Sequence, residues 1–444
     1  MSYPRYPAYK ASGVEWLGEI PAHWQVRRLK SIASVRLSNV DKKTLEGQEP
    51  VDLCNYVDVY YHDKITAALD FMAATATPQQ IERFRLKEGD VLITKDSESW
   101  TDIAVPAVVT EKLETVLCGY HLALIRPLVE LSGRFLARAF SAVGPRDQFQ
   151  IAANGITRFG LSSDAIMTGV FAVPPFPEQQ AIAAFLDRKT GELDALIAEK
   201  QRLLALLQEQ RAALITQAVT KGLDPSAPMK DSGVELYPSF PLMWCMTRLG
   251  DLCRTVLDGP HFSPDYVDDG ILFLSTRNVK VDRWSLGDAK FISESDYQEF
   301  CKRVVPEIGD VLYTKGGTTG IARVVDIEQP FHVWVHIAVL KLRRELVSPH
   351  FLAHSLNSAP CYGQSQLFTR GATNNDLGLN RMVNIVLALP PMEEQLRIVE
   401  HIENEVGQID TLADEVRAGL DHLQEYRTAL ISAAVTGQID VRAA

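Results

Sequence analysis

A few short runs carry residue types that could do chemistry. Pro174-Pro175-Phe176 has the look of the tail of an adenine-methyltransferase catalytic loop, which reads Asn or Asp, two prolines and an aromatic. Here Val173 precedes the prolines, and a second copy reads Leu389-Pro390-Pro391-Met392. Neither copy has the polar side chain that would hold the target amine. Both suit the opening of a helix, where proline's missing N–H costs nothing. Lys315-Gly316-Gly317-Thr318-Thr319-Gly320 is glycine-rich, but a phosphate loop needs Gly-x4-Gly-Lys-Ser/Thr ahead of a helix. The order is wrong, and the first-half partner is Lys95-Asp96-Ser97-Glu98, so the run predicts a tight turn instead. Asp265 with Asp288-Ala289-Lys290 loosely matches a magnesium-nuclease pattern that the first half lacks. His332 and His336, on an expected strand, would share a face, as would His350 and His354 on a helix. No carboxylate is placed to complete a metal triad, so core or surface histidines are expected. Cys54, Cys118, Cys245, Cys253, Cys301 and Cys361 form no CxxC pair, which points to reduced, mostly buried thiols rather than a disulfide frame or zinc knuckle.

Composition sets the outer bounds. The chain has 444 residues, 46% hydrophobic and 23% charged, enough for two or three domains with full cores. No apolar run approaches the ~20 residues that span a membrane. Met1 to Lys10 lacks the apolar core of a signal peptide, and a cytoplasmic location is expected. The net charge of −11 at first disfavours a nucleic-acid partner. Yet Glu393 to Asp440 holds eleven acids and three bases, about −8, leaving about −3 for the rest. Attraction depends on the local field, not the total.

The elements that must position these residues come in two copies. Lys10-Ala-Ser-Gly-Val-Glu15 recurs as Lys230-Asp-Ser-Gly-Val-Glu235, offset by 220. The same offset pairs Pro21 with Pro241, Trp24 with Trp244, and Gly89-Asp90-Val91-Leu92 with Gly309-Asp310-Val311-Leu312. After a four-residue deletion the offset is 216: Phe135-Leu136-Ala137 matches Phe351-Leu352-Ala353, Gly155 and Thr157 match Gly371 and Thr373, and Glu178-Gln179 matches Glu394-Gln395. A register held over 200 residues is an internal repeat of a unit about 210 residues long.

Each copy opens with a globular part in which short strands alternate with turns. Asp90–Thr94 and Asp310–Thr314 read as strands after a Gly-Asp turn, and Cys118 to Ile125 and Val333 to Leu342 read as buried strands. Each copy closes with a long helix. Leu186, Leu193, Leu207 and Leu214 fall on a heptad with Lys200 as its exception, and Ile402, Ile409, Val416, Leu423 and Leu430 repeat it. A second row, Ile197, Leu204 and Arg211, has partners Ala413, Leu420 and Arg427. Gly222 and Gly437 sit where a helix would stop. Two matched seams predict an antiparallel coiled-coil pair with pseudo-two-fold symmetry, about 60 Å long at 1.5 Å per residue, with one globular domain near each end. The fold class is α+β: two tandem α/β domains, 1–176 and 231–391, separated by the long helices of 177–230 (with its linker) and 392–444.

Lys-x-Ser-Gly-Val-Glu-Trp-Leu-Gly-Glu-Ile-Pro-x-x-Trp (10–24), Gly-Asp-Val-Leu in each half and Pro-Pro-x-x-Glu-Gln before each helix together resemble the specificity subunits of Type I restriction–modification systems. Asp258-Gly259-Pro260-His261-Phe262-Ser263-Pro264 is similar to a common opening of their target-recognition domains. The resemblance covers nearly the whole chain. It implies that each globular domain reads one half of a bipartite site on double-stranded DNA. It further implies that the helices set the gap and dock two modification methyltransferase subunits, and that restriction (translocase/nuclease) subunits join them. The chain itself would then carry no catalytic site, metal or cofactor; S-adenosylmethionine, ATP and magnesium are expected on the partners. The first domain departs from the pattern, with Leu37-Ser38-Asn39-Val40-Asp41 where the second has Leu257 to His261, as two domains reading different half-sites would. The rival reading is a coiled-coil scaffold that binds protein without DNA.

Base reading needs Arg or Lys for guanine and Asn or Gln for adenine, on loops or helix ends that enter a groove. By that rule the first domain offers Asn55, Tyr56, Lys95, Ser97, Trp100, Arg158 and Phe159. The second offers His261, Arg277, Asn278, Lys315, Thr318, Arg370, Asn374 and Asn375. The Lys315 turn would bring backbone amides, Lys315 and Thr318 toward DNA phosphate or a base edge.

Overall fold

The structure is a computed structural model, and it describes residues 3–371 and 375–442. The chain divides into two compact units, Met1–Gln201 with Ala418–Ala444, and Arg202–Arg417.

In the first unit the Gly-Asp turn explains the central strand. The Asp90 carboxylate accepts from the Lys87 N–H at 2.8 Å, closing the turn, and pairs with Arg126 at 2.7 Å. The strands are β1 (Ala33–Leu37), β2 (Glu49–Cys54), β3 (Lys64–Ile65), β4 (Met72–Ala76), β5 (Val91–Thr94), β6 (Pro106–Val109), β7 (Val116–Cys118) and β8 (Leu122–Pro127). A short helix, α1 (Tyr56–Tyr61), follows β2. One sheet has the order β1-β8-β5-β6-β3 and the other β7-β2-β4. β5 is buried at every residue, which is why its sequence is a continuous apolar run.

The second unit repeats the plan. Asp310 accepts from the Glu307 N–H at 2.7 Å and pairs with Lys341 at 2.7 Å. Its strands are β9 (Cys253–Asp258), β10 (Tyr266–Val267), β11 (Ile271–Leu274), β12 (Lys290–Ile292), β13 (Val311–Thr314), β14 (Ala322–Val324), β15 (Phe331–Val333) and β16 (Ile337–Leu342). They form sheets of order β9-β16-β13-β14 and β10-β12-β11-β15.

Two expected strands are each broken in two. Cys118–Ile125 divides into β7, parallel to β2, and β8, antiparallel to β5. Val333–Leu342 divides into β15, parallel to β11, and β16, antiparallel to β13. The chain changes sheets at 119–121 and at 334–336, and because the strands on both sides are buried each change sits between two apolar runs. His336 therefore lies in a turn beyond the strand that holds His332. His332 is buried, with its ring nitrogens at 3.1 Å and 2.9 Å from the Val333 and Val304 carbonyls.

The long helices are α2 (Phe176–Lys221) and α3 (Met392–Val435). The Pro-Pro-x-x-Glu-Gln motif fastens each to its domain. The buried Gln395 amide accepts from the Ser348 N–H at 2.8 Å and donates to the Leu346 and Pro390 carbonyls at 2.9 and 3.0 Å. Gln179 does the same with Ser132, Glu130 and Pro174. Glu178 accepts from the buried Trp24 indole at 3.0 Å.

The helices run antiparallel within each unit. In the first, Leu186 shares a core with Leu430 and Ala434, Asp194 meets Arg427, and Lys200 lies by Gly419. In the second, Leu207 packs with Ile409 and Ala413, Arg211 meets Asp410, and Ile215 shares a core with Ile398 and Ile402. The helices stop where a left-handed residue follows, Gly222 (φ 75°) and Gly437 (φ 77°), a conformation glycine adopts without a Cβ clash. Gly437 then lies against Pro21 and Trp24, and Gly222 against Pro241 and Trp244. The opening motif of each repeat thus serves as the seat for a helix end.

Of the cysteines, Cys54, Cys118, Cys253 and Cys361 are buried, Cys301 is partly exposed and Cys245 exposed, all with free thiols. Among the described residues no helix is long and apolar enough to cross a membrane, and no cluster of His, Cys, Asp or Glu could hold a metal ion.

Candidate nucleic-acid interface

In both units the candidate residues collect at the end of the central strand. Lys95 directly follows β5 and Lys315 directly follows β13. The Lys95 N–H donates to His121 O at 3.0 Å and Lys95 O accepts from Leu161 N at 2.8 Å. Lys315 repeats this with His336 and Leu377 at 2.8 and 2.7 Å. The break in each expected strand is therefore what delivers a histidine to the site. A loop follows in each unit, closed by a pair of backbone hydrogen bonds, Asn154 with Gly160 and Arg370 with Asp376. The first loop holds Gly155–Phe159, and the second includes Gly371 and Asn375.

In the first unit the side chains form a connected set. The Tyr56 and Ser97 hydroxyls lie 3.2 Å apart, and Ser97 pairs with Phe159 across two short strands. The buried Lys95 ammonium lies 2.5 Å from Asp96 and over the Tyr120 ring, 4.8 Å from its centroid. Asp96 reaches His121 at 3.3 Å, and the Arg158 guanidinium lies 3.1 Å from the same ring. Asn55 is buried and caps α1. Trp100 is exposed, as is Ile156 at the loop tip. Burial raises the Tyr56 hydroxyl's pKa against the opposing Ser97 hydrogen bond. Asp102's charge raises that of the neighbouring Tyr60.

In the second unit one carboxylate is the hub. Asp258 is buried, and it meets Arg303, His261 at 3.3 Å and Lys315 at 3.4 Å. Burial works to raise its pKa, but the hydrogen bonds from Arg303 and His261 and the Lys315 charge prevail and hold it below the usual carboxylate range. Gly259 is required next to it, because a Cβ there would overlap the Val333 carbonyl. Phe262 then rests edge-on against Phe300, ring centroids 5.3 Å apart. The first unit lacks this hub. Its Ser38 donates to the Cys118 carbonyl at 2.5 Å, and Val40 is buried.

Lys315 also lies 3.6 Å from Asp376. The Gly317 N–H donates to Asn375 O at 3.0 Å, joining the glycine-rich turn to the closed loop. Thr318, Arg370 and Asn375 are exposed there, as is Arg277, which follows Thr276 beside Gly317. Asn278 is a buried strut: its carbonyl oxygen accepts from Ser275 at 2.8 Å and its amide donates to Ser285 O at 2.8 Å and to Asp288 at 3.2 Å. Asn374 lies outside the described residues.

The candidates thus divide by exposure. Asn55, Lys95, Ser97, Asn278 and Lys315 are buried and engaged within the protein. Arg158, Trp100, His261, Arg277, Thr318, Arg370 and Asn375 face outward, and Tyr56 and Phe159 are intermediate. Sequence reasoning missed Asp96, His121, Tyr60, Asp258 and Arg303. Gly119, interrupting an apolar strand pattern just before His121, is the signal that could have found one of them.

Residues 244–416 match the family described as the Type I restriction modification DNA specificity domain. The chain is 24% identical over 295 residues to the Type I restriction enzyme EcoBI specificity subunit of Escherichia coli, covering 64% of this chain and 62% of that one. It is 22% identical over 276 residues to the Type I restriction enzyme MjaVIII specificity subunit of Methanocaldococcus jannaschii, covering 61% and 62%. The matched stretch thus spans a little under two thirds of these relatives. Among solved structures, a chain from the complex assembly and conformational transition of the type I R-M system shares the fold with TM-score 0.70 at 17% identity, over 94% of this chain and 98% of that one. The HsdS subunit from Thermoanaerobacter tengcongensis aligns with TM-score 0.51 at 16% identity, over 94% and 98%. Motifs, matched domain and relatives point the same way, and the fold is shared: this chain is similar to the specificity subunits of Type I restriction–modification systems.

Proposed function

We propose that the chain reads a bipartite, asymmetric site on double-stranded DNA, one half-site per unit, as the specificity subunit of a Type I restriction–modification complex. The observation that carries this reading is a repeated frame with unlike surfaces. Both units bring a lysine, a histidine and a closed loop together at the end of one strand. One surrounds them with Tyr56, Trp100 and Arg158, the other with His261, Thr318 and Asn375. A shared frame with exchanged outward side chains is what two readers of different sequences require. Leu196, Leu203, Leu206, Leu396 and Leu412 are exposed on the long helices, and apolar surface of that kind suits the docking of two modification methyltransferase subunits, with restriction subunits joining them. The chemistry then belongs to those partners, with their S-adenosylmethionine, ATP and magnesium.

The test is genome-wide adenine methylation by single-molecule sequencing in the source strain and in a strain lacking this gene. A gapped, two-part motif that loses methylation on deletion is the expected result. No change in an expressing strain with an intact partner methyltransferase would overturn the reading and favour a protein-binding scaffold.

A further inference from the structure

Beside the Asp258 hub lies an open cavity of about 700 Å³, lined by Pro260, His261, Phe262, Phe300 and Arg303 together with the Glu299–Lys302 pair. Its electrostatics are directional. The Asp258 side chain is 3% exposed, whereas Arg303 and His261 are 45% and 63% exposed. The anion is sunk behind the groups it holds, so they face the cavity while their inner atoms are fixed. Arg303 spends its Nε hydrogen on the Asp258 carbonyl at 2.9 Å and one Nη2 hydrogen on the carboxylate. Nη2 also lies 3.5 Å from His261 Nε2, so of its five donors the two on Nη1 lie outside these contacts. Lys302 is paired at 2.5 Å with Glu299, which is open to solvent like the lysine, whereas the acid that holds Arg303 is buried behind it, so Arg303 is the cation presented to the cavity. One wall is the exposed Phe262 ring, braced from behind by Phe300.

An oriented guanidinium and an imidazole beside a braced aromatic wall suit a phosphodiester and its sugar. A free guanidinium also pairs with a guanine edge, but Arg303 has its Nε and Nη2 held by Asp258, and the imidazole and aromatic wall beside it favour the backbone. We infer that Arg303 and His261, positioned by Asp258, clamp a backbone phosphate of the second half-site, with the adjoining deoxyribose against Phe262. This rests on the DNA-reading role proposed above. It names Arg303, which residue type and spacing alone did not select, and moves His261 from base reading to backbone contact. The Asp-Gly-Pro-His-Phe run becomes a device that fixes register, leaving sequence choice to the loops around Thr318 and Asn375.

The full chain would be titrated with a labelled random-sequence duplex and with a duplex carrying the methylated motif, across about 50–200 mM salt, where phosphate contacts set the slope. Arg303→Ala is expected to weaken both duplexes alike and to reduce the slope of log affinity against log salt by about 0.9, one released counterion. Arg303→Lys keeps the charge and is expected to keep the slope, which separates loss of contact from misfolding. Phe262→Ala is expected to weaken both duplexes severalfold at every salt concentration with the slope unchanged. An unchanged slope in folded Arg303→Ala, or a loss confined to one base position, would overturn the clamp. A wild-type chain whose DNA binding ignores salt would overturn the DNA-reading role itself.

Discussion

The Arg427 guanidinium donates to both oxygens of the Asp194 carboxylate, at 2.7 Å through Nε and 3.2 Å through Nη2. In the other unit their repeat mates, Arg211 and Asp410, meet at 3.2 Å with the helices exchanged in role. Arginine was legible in the second row of the helix pattern; its partner was not, because Asp194 and Asp410 sit off the apolar rows. Both acids are about half exposed, so each pair contributes modestly, ~0.2–1 kcal/mol. Arg427→Ala is expected to lower stability by that amount, and adding Asp194→Ala to cost little more. A double-mutant cycle by denaturant unfolding measures the coupling.

The Gln395 amide is a larger contributor. Gln395→Leu preserves bulk but strands the Ser348 N–H and the Leu346 and Pro390 carbonyls in a buried site. Each unsatisfied group costs about 1–3 kcal/mol, and partial relaxation should leave a net loss of about 2–4 kcal/mol. Urea unfolding of the second unit's transition checks it; a loss under about 1 kcal/mol would mean that the junction repacks.

Arg158 is held on His121 in the free protein. On the proposed function, Arg158→Ala should cost ~1–3 kcal/mol on the target and relax discrimination at one base pair. Competition binding with singly substituted duplexes is the check. A loss equal on all sequences would make Arg158 a phosphate contact, and no loss would remove it from the interface.

Two histidines set an acid limit. Burial lowers the His354 pKa to about 4, with His350 and Arg211 adding to the effect, and burial also lowers that of His332. The unfolded chain takes up these protons near pH 6.5 while the folded chain does not. Stability is therefore complete above the unfolded value and falls as the pH drops from about 6.5 toward 4, by up to ~1.4 kcal/mol per pH unit for each group. His354→Leu should flatten that decline, read as melting temperature against pH.

The repeat, the long helices and the strands after Gly89-Asp90 and Gly309-Asp310 were legible, since a register and a turn signal are local properties of sequence. The sheet changes at 119–121 and 334–336 were not. An apolar run reports burial without saying in which sheet, so the histidines that reach Lys95 and Lys315 were hidden inside apparent strands. The carboxylates facing these lysines were equally hidden: Asp96 is adjacent in sequence in one unit, whereas Asp258 comes from a distant strand end in the other. Residue type marked Asn55 and Asn278 as readers, but only packing reveals them as a cap and a strut.

The first unit's core draws Leu430, Ile431, Ala434 and Val435 in beside Trp24 and Phe140, while the second lies wholly within Arg202–Arg417. Order of synthesis and order of completion are therefore reversed. The later unit has everything it needs once Arg417 leaves the ribosome. The earlier one cannot close its aromatic interior until the helix that carries Leu430 to Val435 emerges.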